Sequence, residues 1–297
     1  MAAIKSYKGF DKNLKCRDFQ YEIGKEYKMD GEIKVCSRGF HACESPLEVF
    51  DYYPMIGSRF CEVEQDGNIS KEDRGTKICS SKIKIKAELK LADMINLGVE
   101  WLKEITSPEK IKTSIKDNSS GNYAQIGSSG YDAKIGSSGY GAKIGSSGNY
   151  AQIGSSGDDA KIGSSGNYAK IGSSGDDAQI GSSGDDAKIG SSGDGAKIGS
   201  SGDDAQIGSS GYGAKIGSSG YGAKIDSTGE GCVIMCAGIN SVAKASKGSW
   251  ITLSEWSYSD KKKRYIPVCV KTEFVDGEKI KADTYYKLAG GVFKEIQ

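Results

Sequence analysis

The chain has 297 residues, and its 40 Lys and Arg balance 39 Asp and Glu. Balanced charge provides no global field to draw the protein to nucleic acid or to an acidic membrane. Only 37% of the residues are hydrophobic and 42 are Gly, too lean for one large core, yet every Phe, Trp and Pro lies outside residues 121–246. The ends therefore read as globular and the middle as periodic. The opening residues MAAIKS lack the apolar stretch of a signal peptide, and no run approaches the roughly 18 apolar residues of a membrane span. Eight scattered Cys then read as reduced thiols. A soluble, cytoplasmic protein without cofactor or membrane contact is the expectation.

Residues 1–111 read as an α+β domain. Ser45, Pro46, Leu47 and Glu48 have the order of a helix start, with N-cap, Pro at the first position and a capping-box acid, so a short helix carries Val49 and Phe50. Arg59 to Glu64 reads as a strand that enters a hairpin at Asp66 and Gly67. Ile83, Ile85, Ala87 and Leu89 alternate with polar residues as a strand with one buried face. Leu91, Met94, Ile95, Trp101, Leu102 and Ile105 follow helical spacing.

Residues 112–246 are dominated by a nonapeptide. From Gly121 the chain reads GNYAQIGSS, GYDAKIGSS, GYGAKIGSS, and twelve units run to Thr228. Two Gly per unit oppose a helix, and the alternation small, polar, apolar opposes it further. Each unit is one strand, with Ala160, Ile162 and Ser164 inward and Lys161 and Gly163 outward. Gly157, Asp158 and Asp159 form the turn, where positive φ is favoured. The resulting fold is mainly β, a two-sided β-solenoid of about 18 residues per coil. A three-sided coil is the rival, because Gln replaces Lys at every third unit (Gln125, Gln152, Gln179, Gln206). In the two-sided form one side stacks Gln125, Lys143, Lys161, Gln179, Lys197 and Lys215. Gln interrupts each column, which relieves repulsion between stacked like charges.

Residues 247–297 read as a small β cap. In the degenerate unit GEGCVIMCA, Val233 and Met235 replace the outward Lys and Gly, so a covering segment is expected there, with Trp250, Ile251, Leu253 and Trp256 following. Asp276 and Gly277 between alternating stretches read as a hairpin turn.

Chemistry is sparse. His41 is the single histidine, and Cys36, His41 and Cys43, with Cys16 or Cys61, are the metal candidates, although they lack the paired spacing of a zinc site. No third residue marks a Cys–His dyad, and no phosphate-binding loop is present. No catalytic residue is assigned. The partner-binding candidates are the Lys and Asp rows of the rod: Lys143, Lys161, Lys197, Lys215, Asp158, Asp159, Asp176 and Asp177.

The segments SYKGFDKNLKCRDFQYEIGKEY, VCSRGFHACESPLEVFDYY and VDGEKIKADTYYKL, joined by nonapeptides, resemble a family of uncharacterised phage and prophage proteins. That resemblance implies a mobile-element origin and carries no activity with it. The family's usual repeat is closer to GAASATGYQ, and Ile with GSS is this chain's departure. The composite expectation is a non-catalytic, phage-derived protein that inhibits a host protein or nucleoprotein complex by surface contact, with homo-oligomerisation possible and direct nucleic-acid binding disfavoured. A structural or adhesive virion component is the first alternative. A small N-terminal enzyme with the solenoid as a spacer is the second.

Overall fold

Alternating apolar and polar residues from Ile4 to Leu89 build the N-terminal unit. The computed structural model describes residues 3–71, 76–105 and 121–296, which divide into the compact units Met1–Trp101 and Leu102–Gln297. The first contains β1 (Ile4–Phe10), β2 (Lys15–Cys16), β3 (Phe19–Gln20), β4 (Glu26–Lys28), β5 (Phe40–Cys43), a 3₁₀ turn (Leu47–Asp51), β6 (Arg59–Lys71), β7 (Lys77–Leu89) and most of α1 (Leu91–Ile105). β7 pairs with both β5 and β6, and β1 joins those two, so four antiparallel strands close on themselves and β4 adds to β7. Phe10, Val63, Ile83 and Ile85 fill the interior.

Two local expectations are corrected. Asp66 and Gly67 are no hairpin turn: β6 runs on to Lys71, and the pair sits at a register shift against β7, with Gly67 at φ +80°, as a bulge requires. Ser45 does not cap the short helix, which has no side-chain cap. Glu48 instead turns to Thr76, accepting its N–H and its hydroxyl, each at 2.7 Å.

In the second unit each nonapeptide contributes one four-residue strand, from β8 (Gln125–Ser128) and β9 (Lys134–Ser137) through β18 (Lys215–Ser218) and β19 (Lys224–Ser227). β20 (Val233–Cys236) and β21 (Val242–Ala245) follow. Each strand pairs in parallel with the strand two units on, Ile144 with Ile162 with Ile180 on one side and Ile153 with Ile171 with Ile189 on the other. The coil is two-sided, with an 18-residue period. Ala, Ile and Ser point inward as the alternation requires, and Ala160, Ile162 and Ser164 are buried.

The turns make the stacking close. A Cβ on Gly157 would strike the carbonyl oxygen of Gly139, and the same collision recurs up the column. The last turn residue is left-handed in every coil, whether Gly141, Asp159 or Tyr168. Gly was foreseeable there, and so was Asp, but Tyr carries a steric cost that tertiary stacking must offset.

β22 (Trp250–Ser259) and β23 (Arg264–Phe274) extend one sheet of the solenoid, and β24 (Tyr285–Ala289) and β25 (Val292–Ile296) extend the other. Asp276 and Gly277 are therefore not a hairpin turn, since β23 and β24 belong to different sheets. Asp276 Oδ1 accepts the N–H groups of Glu278 and Ile280, and this bend carries the chain across the end of the rod with Val275 and Ile280 buried. The crossing is tied down by Asp226, which replaces a repeat Gly. Burial raises its carboxyl pKa, against the opposing pull of Lys244 at 3.1 Å, and the Tyr285 hydroxyl donates to it at 3.4 Å. No helix of the described residues is long and apolar enough to cross a membrane.

Candidate functional site

The two faces of the rod carry nearly the same sequence and differ in exposure. On the face that contains β8 and β18, Lys143, Lys161, Gln179, Lys197 and Lys215 are all exposed and stand in one column: Lys143 beside Lys161, then Gln179, then Lys197 beside Lys215. The four Lys candidates thus share one flat surface. Between their rows run Gly145, Gly163, Gly181 and Gly199, where an added Cβ would meet nothing within 4 Å. The Lys stems and these glycines shape a shallow trough around Lys161, Gly163, Gln179, Gly181 and Lys197.

The other face departs from the expectation that every Lys and Gln is solvated. Gln152 and Lys170 are only 4% and 3% exposed, and they and Lys134, Lys188 and Gln206 are all engaged with neighbours. This row is packed, although its repeat template is the same as that of the exposed face.

The acidic candidates are engaged in coil stacking. Asp158 Oδ1 accepts the N–H of Asp176 at 2.9 Å, and Asp176 Oδ1 that of Asp194 at 2.8 Å. Asp159 sits at φ 54° and accepts the Tyr140 hydroxyl at 2.6 Å, while Asp177 sits at φ 52°. A parallel ladder climbs the opposite edge through Asn149, Asn167, Asp185 and Asp203. Asp158, Asp176 and the four side chains of the second ladder thus satisfy backbone donors of the turn one coil on, using the acceptor capacity that suits Asn and Asp to turns.

At its C-terminal end the exposed face changes from basic to apolar. The sequence implied a cover over Val233 and Met235, but they are 48% and 54% exposed. The reason is topological: Trp250 and Phe274 arrive in the plane of the sheet, in register with Val233, rather than above it. Trp250 and Phe274 are 47% and 41% exposed, with ring centroids 5.0 Å apart. Val270 on β23 is exposed as well. At the tip of the β22–β23 hairpin, Lys261, Lys262, Lys263 and Arg264 are all exposed beside Asp260. Sequence reasoning passed over this basic run and read Val233 and Met235 with the opposite sign.

The N-terminal unit holds a second site that sequence reasoning missed. Ser6, Lys8 and Phe10 alternate on one side of β1, and Lys8 is buried at 4% exposure. Its ammonium donates to the His41 carbonyl at 3.0 Å and to Cys16 Sγ at 3.5 Å, and lies 5.4 Å from the Phe10 ring centre and 5.8 Å from those of Tyr21 and Tyr53. The Tyr53 hydroxyl donates to Cys16 Sγ at 2.8 Å. Burial lowers the Lys8 pKa, against the Cys16 and Cys43 thiols, and Arg17 lowers it further. Lys8, Cys16, Tyr21, His41 and Tyr53 border a cleft of about 960 Å³. No sequence signal marks Lys8, because the inward parity of β1 is defined only once the strands close.

Cys36, His41 and Cys43 do not converge as ligands. His41 Nε2 accepts the backbone N–H of Cys36 at 3.0 Å, and burial lowers its pKa. Cys36 is exposed while Cys43 is buried, and all eight Cys are free thiols. No group of three or more His, Cys, Asp or Glu placed to hold a metal occurs among the described residues.

The comparison with curated proteins and the comparison with solved structures both returned no match. Residues 4–97 match the model of the domain of unknown function DUF7666, which places an uncharacterised domain family at the N-terminus of this chain, over the cleft and apart from the solenoid.

Proposed function

We propose that this is a non-catalytic binding protein whose solenoid docks onto an acidic protein surface through its exposed face. One observation carries the reading: the repeat abandons its template at outward positions, where Val233 and Met235 stand in place of Lys and Gly and remain exposed beside Trp250 and Phe274. Exposed apolar clusters mark interaction surfaces, and aromatic anchors in such clusters dominate binding energy. Lys197 and Lys215 continue the Lys column up to Val233, so the flank of the apolar patch is basic, which fits an acidic rim on the partner. The rod is pre-organised by its ladders, which lowers the ordering cost of binding. The resemblance to phage and prophage proteins makes a host complex the first partner to test, with inhibition by occupation as the mode of action.

The test restores the template. Val233→Lys with Met235→Gly, in the full chain, is expected to keep the circular dichroism and melting of the parent and to lose a partner captured at fixed stoichiometry from nuclease-treated host lysate. Retained capture would reject the apolar end as the contact. Capture that disappears with nuclease treatment would replace the protein partner by a nucleic acid.

A further inference from the structure

The N-terminal cleft carries an inference independent of the solenoid face. An isolated cation costs several kcal/mol to bury unless it is paired. Lys8 is buried on an inward strand position, yet its described hydrogen-bond partners are a carbonyl and a thiol. No carboxylate among the described residues ion-pairs with it. A purely structural interior would place Leu or Met here at lower cost. The cleft that Lys8 borders is also lined by Arg17, Lys28, His41 and Lys77, against the one carboxylate of Asp18. Its walls are aromatic: Phe19, Tyr21 and Tyr27 meet edge to face with centroids 4.8 to 5.3 Å apart, and Phe19 stands exposed at the rim. About 960 Å³ is the size of a small-molecule site, and convergent polar groups within apolar walls are its usual form.

We propose that this cleft binds a small organic anion bearing a planar ring, of mononucleotide size or less, with Lys8 pairing the anionic group and Phe19, Tyr21 and Tyr27 holding the ring. The anion supplies the counter-charge that the fold leaves out, and ring contact with the aromatic walls excludes water from the pair. Arg17, exposed on the lining of the cleft, adds a second cation to draw the anion in.

Titration calorimetry on the full chain tests this with adenosine 5′-monophosphate, uridine 5′-monophosphate and 4-hydroxybenzoate, and with adenosine and inorganic phosphate as controls. At least one of the three ring-bearing anions is expected to bind at least tenfold more tightly than either control. Lys8→Met is expected to weaken that binding by tenfold or more with unchanged circular dichroism. Arg17→Gln and Phe19→Ala alter exposed side chains, so they keep the fold and serve if Lys8→Met does not; each is expected to weaken binding at least threefold. Three results would overturn the proposal: no binding of any ring-bearing anion at millimolar concentration, adenosine binding as tightly as its monophosphate, or full affinity in the Lys8 variant or in both exposed variants.

Discussion

Two glycines recur in the nonapeptide template, and they answer to different forces. Gly157 lies where the coil beneath brings a carbonyl into the space of a Cβ, whereas Gly163 faces open space. Gly157→Ala is therefore expected to destabilise the solenoid by about 1–3 kcal/mol, the usual cost of overpacking. Gly163→Ala should stabilise it by about 0.5–1 kcal/mol, because Gly in a strand interior loses more backbone entropy on folding. Denaturant midpoints of the two variants check both signs. The inward Ser hydroxyls behave as a third case: Ser164 and its equivalents are buried and make no hydrogen bond. Ser164→Ala removes a desolvated hydroxyl, so unchanged or higher stability is expected, where loss of a satisfied hydroxyl would cost about 1 kcal/mol. Lys8 gives a pH test. Its folded-state pKa lies below 10.5, so between that lowered value and 10.5 the unfolded chain holds a proton that the folded chain has released. Stability contributed at this residue rises with pH through that window. Lys8→Met is therefore expected to exceed the wild type in melting temperature most at neutral pH, with the gap narrowing as pH climbs toward 10. A gap that widens would mean that Lys8 is stabilised as a cation in the fold.

At the scale of elements, what the sequence made legible follows from local periodicity. Ile144, Ile162 and Ile180 stack at an 18-residue interval, as the alternation within each unit and its single turn require. Ile162→Ala should cost about 2–5 kcal/mol if the surrounding coils cannot collapse onto the space. Lys161→Ala should be close to neutral, since Lys161 is exposed and surface changes usually fall within about 0.5 kcal/mol. What stayed illegible depends on which element lies beside which. Asp276 and Gly277 carry a hairpin signal, yet the strands on either side belong to different sheets, a choice made by the end of the rod rather than by the turn. Val233 and Met235 were correctly singled out as departures, but a sequence does not distinguish a neighbour that arrives in the sheet plane from one that lies on top. The Lys column was readable as outward on both sides. Only the structure separates Lys161, solvated, from Lys170, packed. Lys8 was silent for the same reason, because its alternation with Ser6 and Phe10 names two possible sides of β1 and the closure of β5, β6 and β7 chooses between them.

For the solenoid unit as a whole, adjacent repeats lie on opposite faces, so the number of repeats between two residues decides whether they share a surface. Deleting the two units Gly157–Ser174 keeps Lys143 on the face of Val233, Met235 and Trp250. Deleting only Gly157–Ser165 keeps every strand pairing available, because the repeats are interchangeable in the core, but it turns the C-terminal end half a coil and moves its apolar cluster to the opposite face. Both variants are expected to fold. If the Lys column and the apolar end form one contact, the two-unit deletion should retain partner capture and the one-unit deletion should lose it. Equal capture by both would show that the two patches act separately. The same parity reaches the coding DNA. Tandem repeats this uniform invite replication slippage, and the glycine ladder accepts whichever copy is gained or lost. Slippage by a single repeat preserves reading frame and fold alike, yet it inverts the molecule's sidedness; slippage by a pair only changes its length. If the Lys column and the apolar end form one contact, a population of such genes under selection for it should therefore vary in repeat number by even steps, with odd steps confined to copies that have lost that contact.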